Sequence, residues 1–121
     1  GALFKGRAES SKMALTFSNR DSTTAGAAVN YTFQITNGAG DVYANFTATS
    51  PLVLTSTATD ASIVSEVKAQ LAAALASLAH ETIDLSEFNV EFSGNTLVIE
   101  NTGGRALAIE KFASNTGTMT V

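Results

Sequence analysis

The stretch Val29-Asn30-Tyr31-Thr32-Phe33-Gln34-Ile35-Thr36, followed by Asn37-Gly38-Ala39-Gly40-Asp41 and then Val42-Tyr43-Ala44-Asn45-Phe46-Thr47-Ala48, decides the fold class. Val29, Tyr31, Phe33 and Ile35 alternate strictly with polar residues, and β-branched and aromatic side chains suit a half-buried pleated surface. The five-residue segment from Asn37 to Asp41 supplies residues that tolerate positive φ. The alternation resumes with Val42, Ala44, Phe46 and Ala48 on the apolar beat and Tyr43, Asn45 and Thr47 on the polar one, which predicts a β-hairpin. Pro51 then interrupts the ladder, so Leu52-Val53-Leu54 reads as an edge strand or as a continuation after a bend.

Outward from this hairpin, Thr59, Asp60 and Ser62 offer N-cap oxygens, and Ile63, Val67, Leu71, Ala74, Leu75 and Leu78 recur at spacings of three and four. The spacing predicts an amphipathic helix over about 61–79, slim on account of its alanines and ended by His80-Glu81-Thr82. Phe88, Val90 and Phe92 alternate again, Ser93-Gly94-Asn95 turns the chain, and Leu97-Val98-Ile99 completes a second hairpin. Leu107 and Ile109 begin another strand, and Met119–Val121 fits a last short one. On the N-terminal side, Met13, Leu15 and Phe17 suggest a short strand at 13–18 within a polar approach segment, 1–28, that precedes a single domain over 29–121. The fold class expected is α+β: two β-hairpins flanking one amphipathic helix packed on a mixed, mainly antiparallel sheet.

The 121 residues, 45% hydrophobic and 7% aromatic, suffice for one domain. The chain has no cysteine, which excludes a disulfide scaffold, a cysteine-ligated metal site and a thiol enzyme. No apolar run approaches the roughly 20 residues that span a bilayer, so no membrane partner is expected. The formal net charge of -4 argues against nucleic acid. Residues 1–30 carry Lys5, Arg7, Lys12 and Arg20 against Glu9 and Asp21, whereas the remainder is strongly acidic; the leader is a solvated segment or one that docks on an acidic neighbour. Gly1 stands where an initiator Met would, and no signal-peptide pattern follows, so an excised or processed start is expected.

Catalytic and ligand motifs give little. His80 is the sole histidine, at the helix end where an imidazolium would complement the dipole, with no second ligand type beside it. Glu81, Glu87, Glu91 and Glu100 form no calcium loop and no paired acid and base, and Glu87, Glu91 and Glu100, on or beside the polar beats of strands, read as a solvated face. Gly38-Ala39-Gly40 lacks the third glycine of a dinucleotide loop, and Gly103-Gly104 lacks the Lys-Ser/Thr of a phosphate loop. Asn30-Tyr31-Thr32 and Asn45-Phe46-Thr47 match the short N-glycosylation pattern, which arises easily by chance in a chain with 16 threonines. No cofactor, no metal and no enzymatic activity are expected.

Val29 to about Phe112 resembles the "IN" insertion domain of bacterial flagellins and of flagellar cap and hook-associated proteins. The resemblance rests on the hairpin strand and Asn-Gly turn (Tyr31 to Gly38), on Thr59 to Ala61 opening an Ala-rich helix, and on the closing run Gly94 to Gly104 followed by Ala106 to Ile109. Where the family has an Ile-Asn signature inside the helix, this chain has Ala73-Ala74-Leu75-Ala76. The resemblance implies a secreted, extracellular structural domain of the flagellar filament, contributing to its surface and to motility without catalysis, with other copies of the subunit as partners. The alternative is an adhesin or phage-fibre module that recognises a glycan or host receptor, for which Asn37, Asp41 and an exposed Tyr43 are the candidate contact residues.

Overall fold

In the computed structural model, residues 11–18, 29–55, 57–115 and 117–121 are described. Among these residues, eight strands and one helix follow in the order β1 (Lys12–Phe17), β2 (Val29–Thr36), β3 (Val42–Phe46), β4 (Leu52–Leu54), α1 (Asp60–Leu75), β5 (Phe88–Ser93), β6 (Thr96–Asn101), β7 (Ala108–Ser114) and β8 (Met119–Thr120), with a 3₁₀ turn at Leu85–Glu87. The chain is a small, mostly β domain of mixed α+β type, in which one helix accompanies two antiparallel sheets. The single sheet expected from the sequence is therefore two, because the hairpins belong to different sheets: β2–β3 to one and β5–β6 to the other.

The first sheet is built around β2. β3 pairs with the second half of β2 (Phe33 opposite Phe46) and β4 with its first half (Tyr31 opposite Leu52), so β3 and β4 form one interrupted strand. The five residues from Thr47 to Pro51 face the single residue Thr32 and are absorbed in a small loop closed by reciprocal Thr47 and Ser50 backbone bonds of 3.2 and 3.0 Å. Pro51, which has no N–H to give the ladder, stands where pairing resumes. β7 lies along the other side of β2 (Ile35 opposite Ile109, Tyr31 opposite Ser114).

The second sheet runs β5-β6-β1-β8. The strand expected at 13–18 is β1, and it is internal, paired with β6 from Lys12 to Thr16 and with β8 at Thr16 and Phe17. Leu15 and Phe17 are fully buried. The folded unit thus includes residues well before 29, because an alternating Met13-Leu15-Phe17 face is buried only between two neighbouring strands and the opposite sheet. Of the expected approach segment, residues 1–10 and 19–28 lie outside the described residues.

The sheets meet through aromatic rings: Phe17 of β1 lies 4.5 Å from Tyr31 and 6.1 Å from Phe33 of β2, and Phe33 lies 4.9 Å from Phe46. α1 packs against β3, β4 and β5. The Thr59 hydroxyl caps it by accepting from Ser62 N–H at 3.0 Å, and the Ser62 hydroxyl returns a bond to Thr59 O at 2.8 Å. Ile63, Val67, Leu71 and Leu75, each four residues from the last, are buried, and each stabilises the fold by about 1.5–3 kcal/mol. The opposite face exposes Ala69, Ala72, Ala73 and Ala76 beside Ser65, so the contrast between faces is slighter than the apolar spacing suggests. The helix also ends at Leu75 rather than 79. Ser77 and Leu78 N–H donate to the carbonyls three residues back, Ala74 and Leu75 (3.0 and 3.3 Å), tightening the last turn before Leu78 tucks half-buried against the core.

Candidate functional site

Asn37 organises the β2–β3 turn. Its Oδ1 accepts from Ala39 N–H (2.7 Å) and Asp41 N–H (3.1 Å), its Nδ2–H donates to the Asp41 carboxylate (3.2 Å), and its backbone N–H donates to Asp41 O (3.0 Å). Gly38 (φ 79°) and Gly40 (φ 112°) occupy left-handed backbone that other residues adopt with strain. Asn37 and Asp41 are therefore joined to each other as well as placed at the surface.

Tyr43 departs from expectation. Its ring is 2% exposed and stands edge-on to Phe88 at 5.6 Å, so it offers no exposed platform to a glycan. The cause is a register shift: Ile35 faces Ala44 but Thr36 faces Val42, which leaves Tyr43 as a surplus residue and turns it inward beside Ala44. Burial pushes the Tyr43 phenol above its ordinary range, against the opposing pull of the Arg105 guanidinium.

With Tyr43 inside, the outward side chain of β3 is Asn45, whose Oδ1 accepts from Gln34 Nε2–H at 3.4 Å. Asn45 lines an open groove of about 380 Å³ between the β2–β3 turn and the end of α1, with Asp41, Val42, Leu78 and His80 among its walls. The structure thus brings Asp41 and His80, separate in the sequence reading, to one groove. Alternation placed Asn45 on the outward beat together with Tyr43, but the sequence reading named only Tyr43 as a contact residue; the groove brings Asn45 forward instead.

A second polar cluster forms where β6 leaves its hairpin. Arg105 donates through Nη1 to Glu81 at 2.7 Å and through Nε to Glu87 at 3.0 Å. Asn101, 1% exposed, accepts at Oδ1 from Gly103 N–H (2.9 Å) and Arg105 N–H (3.1 Å) and donates to Glu87 at 3.4 Å. Thr102 N–H and Oγ1–H both donate to Glu87 O. A side chain at Gly103 would meet the Glu87 carboxylate at 2.9 Å and Asn101 Oδ1 at 3.2 Å, so a larger residue there would have to displace part of this cluster. Glu87, read as part of a solvated face, and Glu81 are both partly exposed and are also the acceptors that hold the 102–107 loop. The cluster's polar groups satisfy one another, so its chemistry is that of a clamp.

Among the described residues no group of three or more His, Cys, Asp and Glu side chains could hold a metal ion, and no helix is long and apolar enough to cross a membrane. No family model, curated protein or solved structure matches the chain.

Proposed function

We propose that this chain is an outer, surface-exposed domain inserted in a bacterial flagellar filament protein, either a flagellin or a cap or hook-associated protein, acting structurally and without catalysis in a secreted, extracellular setting. The observation that carries the reading is the pairing of β1 with β8. Phe17 faces Met119, Thr16 faces Thr120, Ser18 N–H donates to Thr118 O at 2.8 Å and Thr118 N–H returns to Ser18 Oγ at 2.7 Å. Chain entering at Lys12 and chain leaving at Thr120 run antiparallel side by side, so segments on either side would depart in the same direction. That geometry suits a domain spliced into a loop of a host subunit, as the likeness of Val29 to Phe112 to the flagellin insertion domain implies. Copies of the same subunit are then its neighbours.

Immunogold electron microscopy with antibodies raised against the purified chain tests this on cells of the source organism. Decoration along extracellular filaments is expected; label confined to the cell body overturns the reading. The groove favours one alternative, an adhesin-like module that takes a glycan or receptor between Asp41, Asn45 and His80. A glycan array that is positive with wild type and blank with Asn45→Ala would favour that alternative; a blank wild-type array would remove it.

A further inference from the structure

β7 pairs with β2 on one side, and among the described residues no strand pairs with its other side. Glu110, Lys111, Phe112 and Ala113 are all exposed, Phe112 to 36%, although its ring reaches within 6.0 Å of Tyr31. A bare edge of this kind is a template for another strand. The backbone at its centre is unusual: Lys111 has φ 57° and is the one described non-glycine residue at positive φ, a conformation that L residues adopt at a cost.

The register explains what Lys111 does there. Thr36, Ile35 and Gln34 face Ala108, Ile109 and Glu110, whereas Thr32 and Tyr31 face Ala113 and Ser114. Phe33 is thus opposed by two residues, Lys111 and Phe112. Without Lys111 the strand would read Ala108, Ile109, Glu110, Phe112, Ala113, Ser114, an unbroken alternation with Phe112 opposite Phe33. Lys111 is one residue more than pairing with β2 needs, and it puts a bulge and a positive charge in the middle of an open edge, two devices that oppose edge-to-edge association.

We infer that β7 is a self-pairing edge, withheld from a second copy of this chain by the surplus residue Lys111. The occupant is β7 of that copy, because two identical edges close antiparallel about a two-fold axis and leave no further edge to grow from. In the straightened strand, the register that places Phe112 against Phe112 of the second copy puts Glu110 opposite Ala113 rather than opposite the other Glu110, so aromatic pairing is gained without like-charge contact.

Sedimentation velocity and urea unfolding test this on the full 121-residue chain. Wild type is expected to be monomeric over the accessible concentration range. A variant lacking Lys111 is expected to double its mass as concentration rises, with β7 amides gaining protection from hydrogen exchange. Lys111→Gly keeps the bulge while relieving its strain, so it should stay monomeric with a raised urea midpoint. A wild type that dimerises through β7, or a folded deletion variant that remains monomeric, overturns the inference. If the deletion variant does not fold, Lys111→Gly decides: a dimer, or a lowered midpoint, overturns it.

Discussion

The β3–β4 edge of the first sheet lies under α1, which packs against both strands and whose Gln70 Nε2–H donates to Ser50 Oγ at 2.9 Å. β7, at the opposite edge of the same sheet, has no helix packed along it among the described residues and exposes Glu110, Lys111 and Phe112. One edge is closed by packing, the other by a backbone conformation. Packing secures an edge while also supplying core, since the residues that cover β3 and β4 bury Ile63, Val67, Leu71 and Leu75. A bulge secures an edge with a single residue and contributes nothing to the core. The covered edge should therefore tolerate change poorly through loss of folding, and the open edge through loss of solubility.

The severest way to break the covered side is Leu71→Asp, which places an unpaired charge in the interface between α1 and the strands. A loss of about 4 kcal/mol or more is expected, enough to abolish the cooperative thermal transition followed by circular dichroism; an unchanged melting curve would mean that α1 does not rest on this face. Arg105→Ala probes the approach to the open edge, since the loop it clamps leads directly into β7. Both ion pairs are partly exposed, so a loss of about 1 kcal/mol in urea unfolding is expected, with faster amide exchange at Leu107–Ile109. Gln70→Ala removes one exposed hydrogen bond between α1 and the loop before β4 and should cost about 0.5 kcal/mol.

Glu66→Gln sharpens the comparison through pH. Partial desolvation where α1 meets β4 raises the Glu66 carboxyl above its ordinary value of 4.5, with the Val53 N–H opposing the rise. The folded protein thus holds this proton more tightly than the unfolded chain, so the Glu66 contribution is most favourable below the ordinary value and is lost as pH rises through the raised one. Glu66→Gln should remove that loss, giving a slightly higher urea midpoint than wild type at neutral pH and convergence of the two in acid. A difference independent of pH would assign the effect to packing.

Local periodicity carried much of the architecture. The alternation of Val29 to Ile35 and of Phe88 to Phe92 specified β2 and β5, and the four-residue spacing from Ile63 to Leu75 placed the buried stripe of α1. What periodicity does not encode is which strands meet. β7 joins β2 across more than seventy residues and β1 joins β6 across eighty or more, and those pairings divide the strands into two sheets. It also fails at surplus residues. Tyr43 and Lys111 each shift a register by one, and a one-residue shift reverses every side chain beyond it. Around the candidate groove, the turn that Asn37 and Asp41 build was legible from turn chemistry and the outward place of Asn45 from alternation, whereas the burial of Tyr43 was not. The clamp of Arg105, Glu81, Glu87 and Asn101 assembles residues from three separate segments, which no local pattern announces.

The β1–β8 pairing has a mechanical consequence. Tension applied through Ser11 and Val121 would draw apart two antiparallel neighbours from their shared end, loading their hydrogen bonds one after another in a peeling mode rather than all together in shear. β8, only two residues long, would detach first, while β1 stays held by its five-residue register with β6. A drag force on this domain would thus meet a short tether that yields and re-forms before the two-sheet body is strained.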